Sequence, residues 1–415
     1  MVTTESVTQP VVSSRSWWGA GLALAAIGWG ANQFAPLIVL YQARLGLSAA
    51  VLEAMFGLYA LGLVPALLIG GRLSDRFGRR PVVLPALALS FAGSCLLMAG
   101  GDQPNLLYVG RFLAGVASGL AFGTGAAWLK ELSAGAGDAA VGPRRATVTM
   151  TSGFAAGPLI AGALAQWAPA PTVTVYLPHL VLVAVGVAVV RRTPDSGRRA
   201  AVPTVPDESP RRPLRRHFLL VILPFAPWVF GTAAVGVAYL PALAARNVGD
   251  KALLYCAVAV ALGGAVGIAS QPLAKAVHRP GTNRLLLTAM GFVVLSLAFA
   301  ALAAQVLSPT LALAAVAVLG IAYGVSQFCG LLEVQQLADT RSLGIATAAY
   351  QALSYLGFAF PFLMSLAQAH LGASPGTLLL ILAAIAAVAT VWLAVATGSR
   401  RRRLPARPTE RSAAR

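Results

Sequence analysis

Three ionisable side chains stand inside long apolar stretches, where they could bind a charge or carry a proton. Glu53 lies near the start of one stretch, Arg111 lies two turns into another, and His179 follows Pro178 in a third. A carboxyl group or an imidazole can take up and release a proton, and a buried arginine costs roughly 2.5 to 3.5 kcal/mol unless it has a partner. We therefore take Glu53, Arg111 and His179 as candidates for coupling proton movement to another event.

Each of these residues also has a purely structural explanation. Glu53 can pair with Arg111 or simply lie in a helix interface, and Arg111 can extend toward the outer membrane surface. A buried histidine such as His179 is often a hydrogen-bonded structural residue. The residue types alone leave both explanations open.

No other group of residues in the sequence has the spacing of a catalytic or metal-binding site. The three cysteines, Cys95, Cys256 and Cys329, lie in apolar stretches without a CxxC or Cys/His pattern, which indicates neither a disulfide framework nor a metal site. Paired carboxylates, a nucleophile with its base and a phosphate-binding loop are also missing from the sequence. We expect no enzyme, no metal and no cofactor.

The apolar stretches dominate the composition. Of 415 residues, 58% are hydrophobic and 11% are charged, and the mean hydropathy is +0.76, values typical of a membrane protein. A bilayer core about 30 Å thick requires about 20 apolar residues of helix, and runs of about that length occur twelve times. We expect spans at about residues 17–41, 51–70, 81–100, 105–129, 146–168, 172–190, 218–243, 252–274, 284–305, 309–333, 343–370 and 376–397.

Basic residues are distributed unevenly among the gaps between these spans. When alternate gaps are counted together, 27 of the 31 Lys and Arg residues fall on one side, three on the other, and Arg111 inside a span. The positive-inside rule puts the Arg-rich side, with both termini, in the cytoplasm of a multi-pass cell-membrane protein. The net charge of +18 therefore encodes topology and indicates no nucleic-acid partner.

The longest gap divides the chain into two halves. It follows the sixth span, is rich in Pro and Arg, and is predicted to be a cytoplasmic linker. The basic C-terminal tail is expected to lie near anionic lipid headgroups. The predicted organisation is a cytoplasmic segment 1–16, a six-helix bundle 17–190, the linker 191–217, a six-helix bundle 218–397 and the tail 398–415.

A short sequence occurs once in each half. GFAAGP at Gly153–Pro158 in the fifth span is echoed by GFAFP at Gly357–Pro361 in the eleventh. Equivalent positions in two halves favour an internal repeat over chance.

A charged motif, GGRLSDRFGRRP, separates the second and third spans. The positive-inside rule accounts for its arginines but not for Asp75 or Gly78. Gly78 permits the left-handed or otherwise tight turn of a short hairpin, and Gly70 and Gly71 permit close approach to a neighbouring helix. Asp75 can accept hydrogen bonds from a helix N-terminus or pair with an arginine.

This motif resembles the GxxxDRxGRR signature of the major facilitator superfamily of secondary transporters. The matching positions are Gly71, Asp75, Arg76, Gly78, Arg79 and Arg80. The resemblance implies an all-α membrane fold of twelve helices in two pseudo-symmetric six-helix bundles. In this family such an aspartate is thought to latch the N-terminal half to span eleven when the cytoplasmic side is closed, which here points to the region of Arg341 and Ser342. The second half has Lys275 where the acid would fall, so one half alone is expected to carry the gate.

The fifth span resembles the antiporter signature of the same family, GxxxGPxxGG. Gly153, Gly157, Pro158 and Gly162 match, and Ala161 replaces one glycine. Pro158 removes a backbone donor and predicts a bend. In the family this motif accompanies proton-linked exporters, and the alternative is an ordinary proline kink with small-residue packing.

Arg111 resembles the arginine of an RxxxGxG-like pattern in the same exporter branch. Exporters of that branch usually carry an acid within the membrane, often in span one, where this sequence has Asn32 and Gln33. Glu53 and His179 therefore remain the proton-binding candidates. If neither binds a proton, the alternatives are a facilitator and a transporter with a coupling that the sequence does not reveal.

Polar and aromatic side chains recur at helical spacing in the spans that line the cavity in this family. Amides and hydroxyls between aromatic walls suit a neutral or weakly anionic amphiphile. Each residue also fits an ordinary interhelical contact. The candidates are Trp29, Asn32, Gln33, Trp228, Tyr239, Tyr323, Gln327, Gln351 and Tyr355.

These patterns together predict a secondary active transporter that exports small molecules by alternating access, coupled to protons. Its expected partners are a small-molecule substrate, protons and the lipid bilayer, and the monomer is expected to be the working unit. One alternative is an uptake carrier or facilitator for sugars or organic acids. Another is a membrane-embedded sensor or enzyme, for which the sequence shows no site.

Overall fold

The computed structural model describes residues 16–134, 141–195, 216–337 and 343–401, which are almost entirely helical and contain no strand. Twelve of the described helices are long and apolar enough to cross a membrane, as predicted. The protein is an all-α, multi-pass membrane protein. The helices are α1 (Trp17–Leu45), α2 (Ala49–Phe77), α3 (Arg80–Ala99), α4 (Pro104–Leu132), α5 (Arg144–Trp167), α6 (Pro171–Arg192), α7 (Phe218–Asn247), α8 (Gly249–Val277), α9 (Arg284–Val306), α10 (Pro309–Gln336), α11 (Ala346–Leu371) and α12 (Pro375–Gly398).

Helix α2 extends beyond its apolar run. It begins after Ser48, whose hydroxyl accepts a hydrogen bond from the backbone N–H of Val51 at 3.3 Å, and it continues to Phe77. A span counted by hydropathy ends at the first charges, but charged residues hydrogen-bond in a helix as well as apolar ones do. The first part of the charged motif is therefore helical, and the turn is confined to Gly78 and Arg79.

Several of the described helices contain local departures from α-helical geometry. Helix α1 is interrupted after Asn32, where Pro36 lacks a backbone donor and a single 3₁₀ turn precedes the outer segment. Such departures often mark functional positions in helices. They include the 3₁₀ turn Ala35–Leu37 in α1, the π-helical turns Phe218–Ile222 and Val235–Tyr239 in α7, and the 3₁₀ turn Leu356–Phe358 in α11.

Internal contacts divide the chain into two compact units. The first unit is Met1–Pro206 with Val248–Gly264, and the second is Asp207–Asn247 with Ala265–Arg415. The first part of α8 thus belongs with the first unit. Gly162 of α5 makes this possible, because a Cβ atom at that position would overlap the methyl group of Ala257 in α8.

One packing contact is repeated in the two units. A Cβ atom at Gly153 of α5 would overlap the carbonyl oxygen of Ala25 in α1, and one at Gly357 of α11 would overlap that of Pro227 in α7. Each glycine thus lies against the backbone of the first helix of its own half. This equivalence agrees with the sequence repeat and with two pseudo-symmetric bundles.

Trp128, near the end of α4, is the largest fully buried side chain among the described residues. It packs within an apolar cluster built from α1, α3, α4, α5 and α6. Its indole N–H donates to the carbonyl oxygen of Pro194 at 3.1 Å, because a buried indole needs an acceptor. The chain leaving α6 is thereby held beside the end of α4.

Candidate functional site

The turn of the charged motif depends on Gly78. Its φ of 100° and ψ of 169° lie in a region that side chains other than glycine rarely adopt. A Cβ atom at this position would also collide with the carboxylate of Asp195. Glycine is therefore required here both by backbone conformation and by space.

Arg79 is the centre of an ionic cluster behind this turn. Its Nη2 and Nε atoms donate to Glu131 of α4 at 2.8 and 3.3 Å, and its Nη1 donates to Asp75 at 2.8 Å and to the hydroxyl of Ser74. Although burial lowers the pKa of the Arg79 guanidinium, the hydrogen bonds and charges of Glu131 and Asp75 raise that pKa above its ordinary value. Arg79 is therefore charged at every physiological pH.

Asp195, just beyond α6, caps the start of α3. Its Oδ1 atom accepts hydrogen bonds from the backbone N–H groups of Arg79 at 2.9 Å and Arg80 at 3.3 Å. A carboxylate at this position satisfies free backbone donors and interacts favourably with the helix dipole. Arg80 also donates to the carbonyl of Arg191 at 3.2 Å, so the ends of α6 and α3 are joined twice.

Asp75 and Arg76 are among the exposed residues of the motif. The side chain of Asp75 is 68% exposed although it is paired with Arg79, and Arg76 is exposed with its guanidinium 5.2 Å from the ring centre of Phe77. The region of Arg341 and Ser342, named as the partner of Asp75, lies outside the described residues. The latch therefore stays a prediction.

Sequence reasoning missed Glu131 and Asp195, and it was half right about the paired glycines. A Cβ atom at Gly70 would lie 3.1 Å from the Cα atom of Leu120 in α4, so this glycine does allow close packing. A Cβ atom at Gly71 would meet no described residue within 4 Å, and the close approach predicted for it was wrong. The face of α2 that carries Gly71 is exposed, whereas the face that carries Gly70 packs on α4.

The glycines of α5 form a surface against which α1 packs. A Cβ atom at Gly153 would overlap the backbone of Ala25, and one at Gly157 would lie 2.8 Å from the carbonyl oxygen of Trp29. Only small residues allow two helix backbones to approach this closely. Gly153 and Gly157 of the predicted small-residue face are therefore covered by α1, whereas Gly162, the third glycine of that face, packs against α8.

Pro158 lies inside a continuous helix, Val141–Trp167. A proline at this position cannot donate to the carbonyl four residues earlier, that of Phe154. The side-chain amide of Asn32 in α1 points its nitrogen at this oxygen at 3.5 Å. Asn32, predicted to line a cavity, thus interacts with the carbonyl that Pro158 leaves without a helical donor.

Arg111 is fully buried in the first unit. Its Nη1 donates to the carbonyl of Ala31 at 3.0 Å and its Nη2 to that of Phe56 at 3.4 Å. The rings of Phe34, Phe56 and Tyr59 surround the guanidinium, with centroids 4.9 to 5.5 Å from its carbon atom, an arrangement that favours a cation. Arg111 therefore joins α1, α2 and α4 beside the break in α1, and extension toward the membrane surface was the wrong alternative.

Glu53 is also buried, with 3% of its surface exposed. The salt bridges among the described residues include none between Glu53 and Arg111, so the proposed pairing is not formed. The Oε2 atom of Glu53 has no hydrogen-bond partner in the described part of the chain. Of the two structural roles considered for Glu53, pairing with Arg111 or a position in a helix interface, the structure supports the helix interface.

His179 is buried in a hydrogen-bond chain that links α6 to α3 and α1. Its Nδ1 atom lies 2.8 Å from the hydroxyl of Ser94, which lies 2.8 Å from the amide nitrogen of Gln33. Its Nε2 atom lies 3.1 Å from the carbonyl oxygen of Ala26 and 3.4 Å from the hydroxyl of Ser90. Two predicted residues from different categories, His179 and Gln33, are thus brought together.

In the second unit an aromatic cluster joins several predicted residues. Phe230 of α7 stacks on Tyr355 of α11 with centroids 4.3 Å apart and contacts Tyr323 of α10 and Phe358 at 5.6 Å. Sequence reasoning missed Phe230 because one aromatic residue in an apolar span carries no distinguishing signal. Its position two residues after Trp228 puts it on a different face of α7.

The amides of the second unit lie beside this cluster. Gln327 of α10 donates through its amide nitrogen to Gln351 of α11 at 3.4 Å, and its amide oxygen accepts from the hydroxyl of Tyr350 at 3.4 Å. Trp228 packs on the edge of Phe360, while Tyr239 is buried in the second π-helical turn. The structure brings Tyr323, Tyr355, Gln327 and Gln351 together, and their exposure to a substrate stays a prediction.

A family profile decides what kind of protein carries these features. The profile of the Major Facilitator Superfamily matches residues 19–361, which include the charged motif, the glycines of α5 and both units. The chain belongs to the major facilitator superfamily. Membership confirms the resemblance drawn from the motifs and identifies a transporter for small molecules, not an enzyme.

Curated relatives of this superfamily member match over a short stretch. The multidrug resistance protein MdtL of Klebsiella pneumoniae is 36% identical over 87 residues, and that of Shewanella oneidensis is 34% identical over 89 residues. Each match covers 21% of this chain and 22% of the relative. The chain therefore matches only about a fifth of the length of these curated relatives.

Solved structures of transporters resemble most of the chain. A POT family transporter in complex with 5-aminolevulinic acid has a TM-score of 0.71 at 13% identity, covering 93% of this chain and 96% of that one. A D-xylose–proton symporter has a TM-score of 0.67 at 15% identity, covering 91% and 96%. At these identities the likeness establishes the fold.

Proposed function

We propose that this transporter exports small amphiphilic molecules by alternating access in exchange for protons. The observation that carries the proposal is the glycine face of α5, seated on the backbone of α1, with Pro158 and Asn32 at its centre. This is the segment that resembles the signature of proton-linked exporters. The identity shared with multidrug resistance proteins over 87 residues supports the same direction of transport.

The substrate we propose is neutral or weakly anionic. The predicted cavity residues of the second unit contribute aromatic rings and amides, with Phe230 as an additional ring. Aromatic faces bind flat apolar groups, and amides offer both a donor and an acceptor. A permanent cation would instead require a carboxylate at one of these positions.

We further propose that the monomer acts in the cell membrane with both termini in the cytoplasm. The distribution of Lys and Arg supports this orientation. The first 15 residues, most of the linker and the basic tail after Arg401 lie outside the described residues, so their proposed roles depend on the sequence alone. Accessibility labelling of single cysteines placed in the α2–α3 turn tests the orientation.

Transport in membrane vesicles tests the function. Inside-out vesicles that contain the protein should take up radiolabelled chloramphenicol, a neutral amphiphile, or nalidixic acid, a weakly acidic one, when their interior is acidified. Collapse of the pH gradient with an ionophore should stop accumulation. Gradient-independent movement of sugars or organic acids, with no response to these amphiphiles, would instead support the uptake carrier or facilitator.

Asp75→Asn is expected to lower the transport rate about tenfold, since a gating interaction of this kind is typically worth 1 to 3 kcal/mol. The neutral amide removes the charge but keeps the shape. Folding should survive, because Arg79 retains both hydrogen bonds to Glu131. The measurement is the initial uptake rate in vesicles, normalised to the amount of inserted protein.

Asp102→Asn is the matched control for this substitution. Asp102 is an exposed acid in the α3–α4 loop, paired with Arg44 at 3.4 Å, and exposed pairs contribute little. Its transport rate should equal that of the unmodified protein. Equal rates for both variants would remove Asp75 from the gate.

A further inference from the structure

The hydrogen-bond chain around His179 has a defined direction. The carbonyl oxygen of Ala26 can only accept, so the Nε2 atom of His179, at 3.1 Å, must carry the proton. In a neutral imidazole the Nδ1 atom is then an acceptor, and the hydroxyl of Ser94 must donate to it. The oxygen of Ser94 is left to accept from the amide nitrogen of Gln33.

This direction determines which end of the Gln33 amide is available. With its nitrogen bound to Ser94, Gln33 presents its Oε1 atom, which is buried and has no hydrogen-bond partner among the described residues. One turn earlier on α1, the indole N–H of Trp29 is likewise buried without a partner there. Buried polar groups are nearly always satisfied in proteins. An acceptor and a donor that are both unsatisfied on one face of α1 form a site for a group with a donor and an acceptor, such as an amide or a hydroxyl.

A proton on His179 would reverse the chain. Both imidazole nitrogens then donate, so Ser94 accepts from Nδ1, and its own hydrogen is released from the imidazole and can be donated to Gln33. Gln33 can receive that hydrogen only through its oxygen, which requires the amide to turn over. The atom that Gln33 presents changes from an acceptor to a donor.

We infer that Gln33, Ser94 and His179 form a relay through which protonation of His179 abolishes binding of a substrate amide or hydroxyl at Gln33 and Trp29. This inference rests on the proposed function and supplies its exchange step. While His179 is neutral, the amide oxygen of Gln33 accepts a hydrogen bond from a substrate N–H or O–H. Once His179 is protonated, the same substrate group faces the amide N–H of Gln33, which is also a donor, and is no longer bound. Proton and substrate then exclude one another, as antiport requires, and the coupling is reciprocal.

The surroundings of His179 suit such a relay. The groups that contact the imidazole are uncharged: the carbonyl of Ala26, the hydroxyls of Ser90 and Ser94, and Gly30, whose missing side chain leaves room for Nε2. Helices α1 and α3 pack against α6. The other titratable side chains of these three helices are Tyr41, Arg44, Arg80, Cys95, Tyr176, Arg191 and Arg192. Tyr41 and Tyr176 bond to each other at 2.9 Å.

Two serines of α3 provide a matched pair of variants. Ser94→Ala cuts the chain between His179 and Gln33, whereas Ser90→Ala removes the hydroxyl on the other side of the imidazole, at 3.4 Å. Both serines are buried and each variant removes one oxygen atom. A general effect of losing a buried hydroxyl would therefore appear in both variants.

The direct test uses solid-state NMR of the purified, full-length protein in lipid bilayers, labelled with ¹⁵N in His and in the side chains of Gln. The chain has four histidines, and His179→Gln assigns the signal. We expect the Nε2–H tautomer at neutral pH. As the pH is lowered to about 5, where His can titrate, the side-chain amide signal of Gln33 should shift together with the His179 signals in the unmodified protein and in Ser90→Ala, but not in Ser94→Ala.

Three results would overturn the relay: an Nδ1–H tautomer, a His179 that stays neutral over this range, or a Gln33 signal that ignores the charge on His179. In vesicles, Ser94→Ala should reduce the gradient-driven uptake of chloramphenicol at least tenfold. Ser90→Ala should leave this uptake unchanged. If Glu53→Gln alone abolishes the gradient dependence, protons couple through Glu53 and the relay is wrong while the exporter stands. The NMR signals of His179 and Gln33 can also move together although no protein variant shows efflux under any condition. In that case the proposed function is wrong, while the hydrogen-bond switch between His179 and Gln33 is still supported.

Discussion

Arg79→Ala is expected to lower the free energy of unfolding of the first unit by about 3 kcal/mol, a typical loss when one partner of a buried ion pair is removed. The substitution leaves the carboxylate of Glu131, whose side chain is only 24% exposed, without its two-point partner. The pair with Asp75 contributes little to this loss because Asp75 is 68% exposed. Thermal denaturation of the detergent-solubilised protein should begin about 5 °C lower or more.

Arg76→Ala is the matched control, since it removes a neighbouring arginine of the same motif. Arg76 is exposed, and its guanidinium lies over Phe77 at 5.2 Å. This substitution should change the free energy of unfolding by no more than about 0.5 kcal/mol. The loss of unfolding free energy caused by Arg79→Lys should lie between those caused by Arg79→Ala and Arg76→Ala, because a lysine cannot bind both oxygens of Glu131 in one plane. Equal denaturation temperatures for Arg79→Ala and Arg76→Ala would contradict the ionic cluster as a stabilising element.

Gly153→Ala is expected to destabilise the first unit by roughly 1 to 3 kcal/mol through overpacking and to reduce the yield of folded protein. The added methyl group would overlap the carbonyl oxygen of Ala25 and lie 2.8 Å from its carbon and 2.9 Å from the backbone nitrogen of Trp29. These are main-chain atoms, so the whole of α1 would have to move. Size-exclusion chromatography of a fluorescent fusion measures the folded yield.

Gly264→Ala in α8 makes the same chemical change at a position where the added methyl group would meet none of the described residues within 4 Å. Because alanine favours a helix over glycine, this control should be neutral or stabilising by up to about 1 kcal/mol. Gly357→Ala, the counterpart of Gly153 in the second unit, should behave like Gly153→Ala, since its methyl group would overlap the carbonyl of Pro227. If all three variants gave the same yield, the close contact of α5 with α1 would not be required.

The number of helices and the charged turn were predictable because they depend on local signals. Hydropathy is summed over about 20 neighbouring residues, and the positive φ of Gly78 follows from a glycine between two helices. The end of α2 at Phe77 was not predictable from hydropathy, since charged residues continue a helix without continuing an apolar run. Gly70 and Gly71 show the same limit: the sequence offers both for close packing, and only the rotation of α2 about its axis selects Gly70.

The partners of the candidate residues were harder to predict because they come from distant parts of the chain. Glu131 lies 52 residues after Arg79 and Asp195 lies 116 after it. One sequence feature could have indicated them: few acidic residues lie at the Arg-rich ends of the spans. Those few, which include Glu131 and Asp195, are favoured to pair with a neighbouring arginine. Gln33 and His179 were identified separately, one for a cavity and one for proton binding, while Ser94, which connects them, has no sequence feature that distinguishes it from other serines.

The cap that Asp195 provides for α3 has a practical consequence for experiments that divide the two halves. Expression of the protein as two separate polypeptides, or insertion of a reporter domain between them, interrupts the chain somewhere after α6. A cut placed before Asp195 would separate α3 from the carboxylate that accepts from Arg79 and Arg80, and would free Pro194 from Trp128. A cut within residues 196–215 leaves both contacts on the N-terminal piece, so that piece carries its own complete set of bonds around the charged turn.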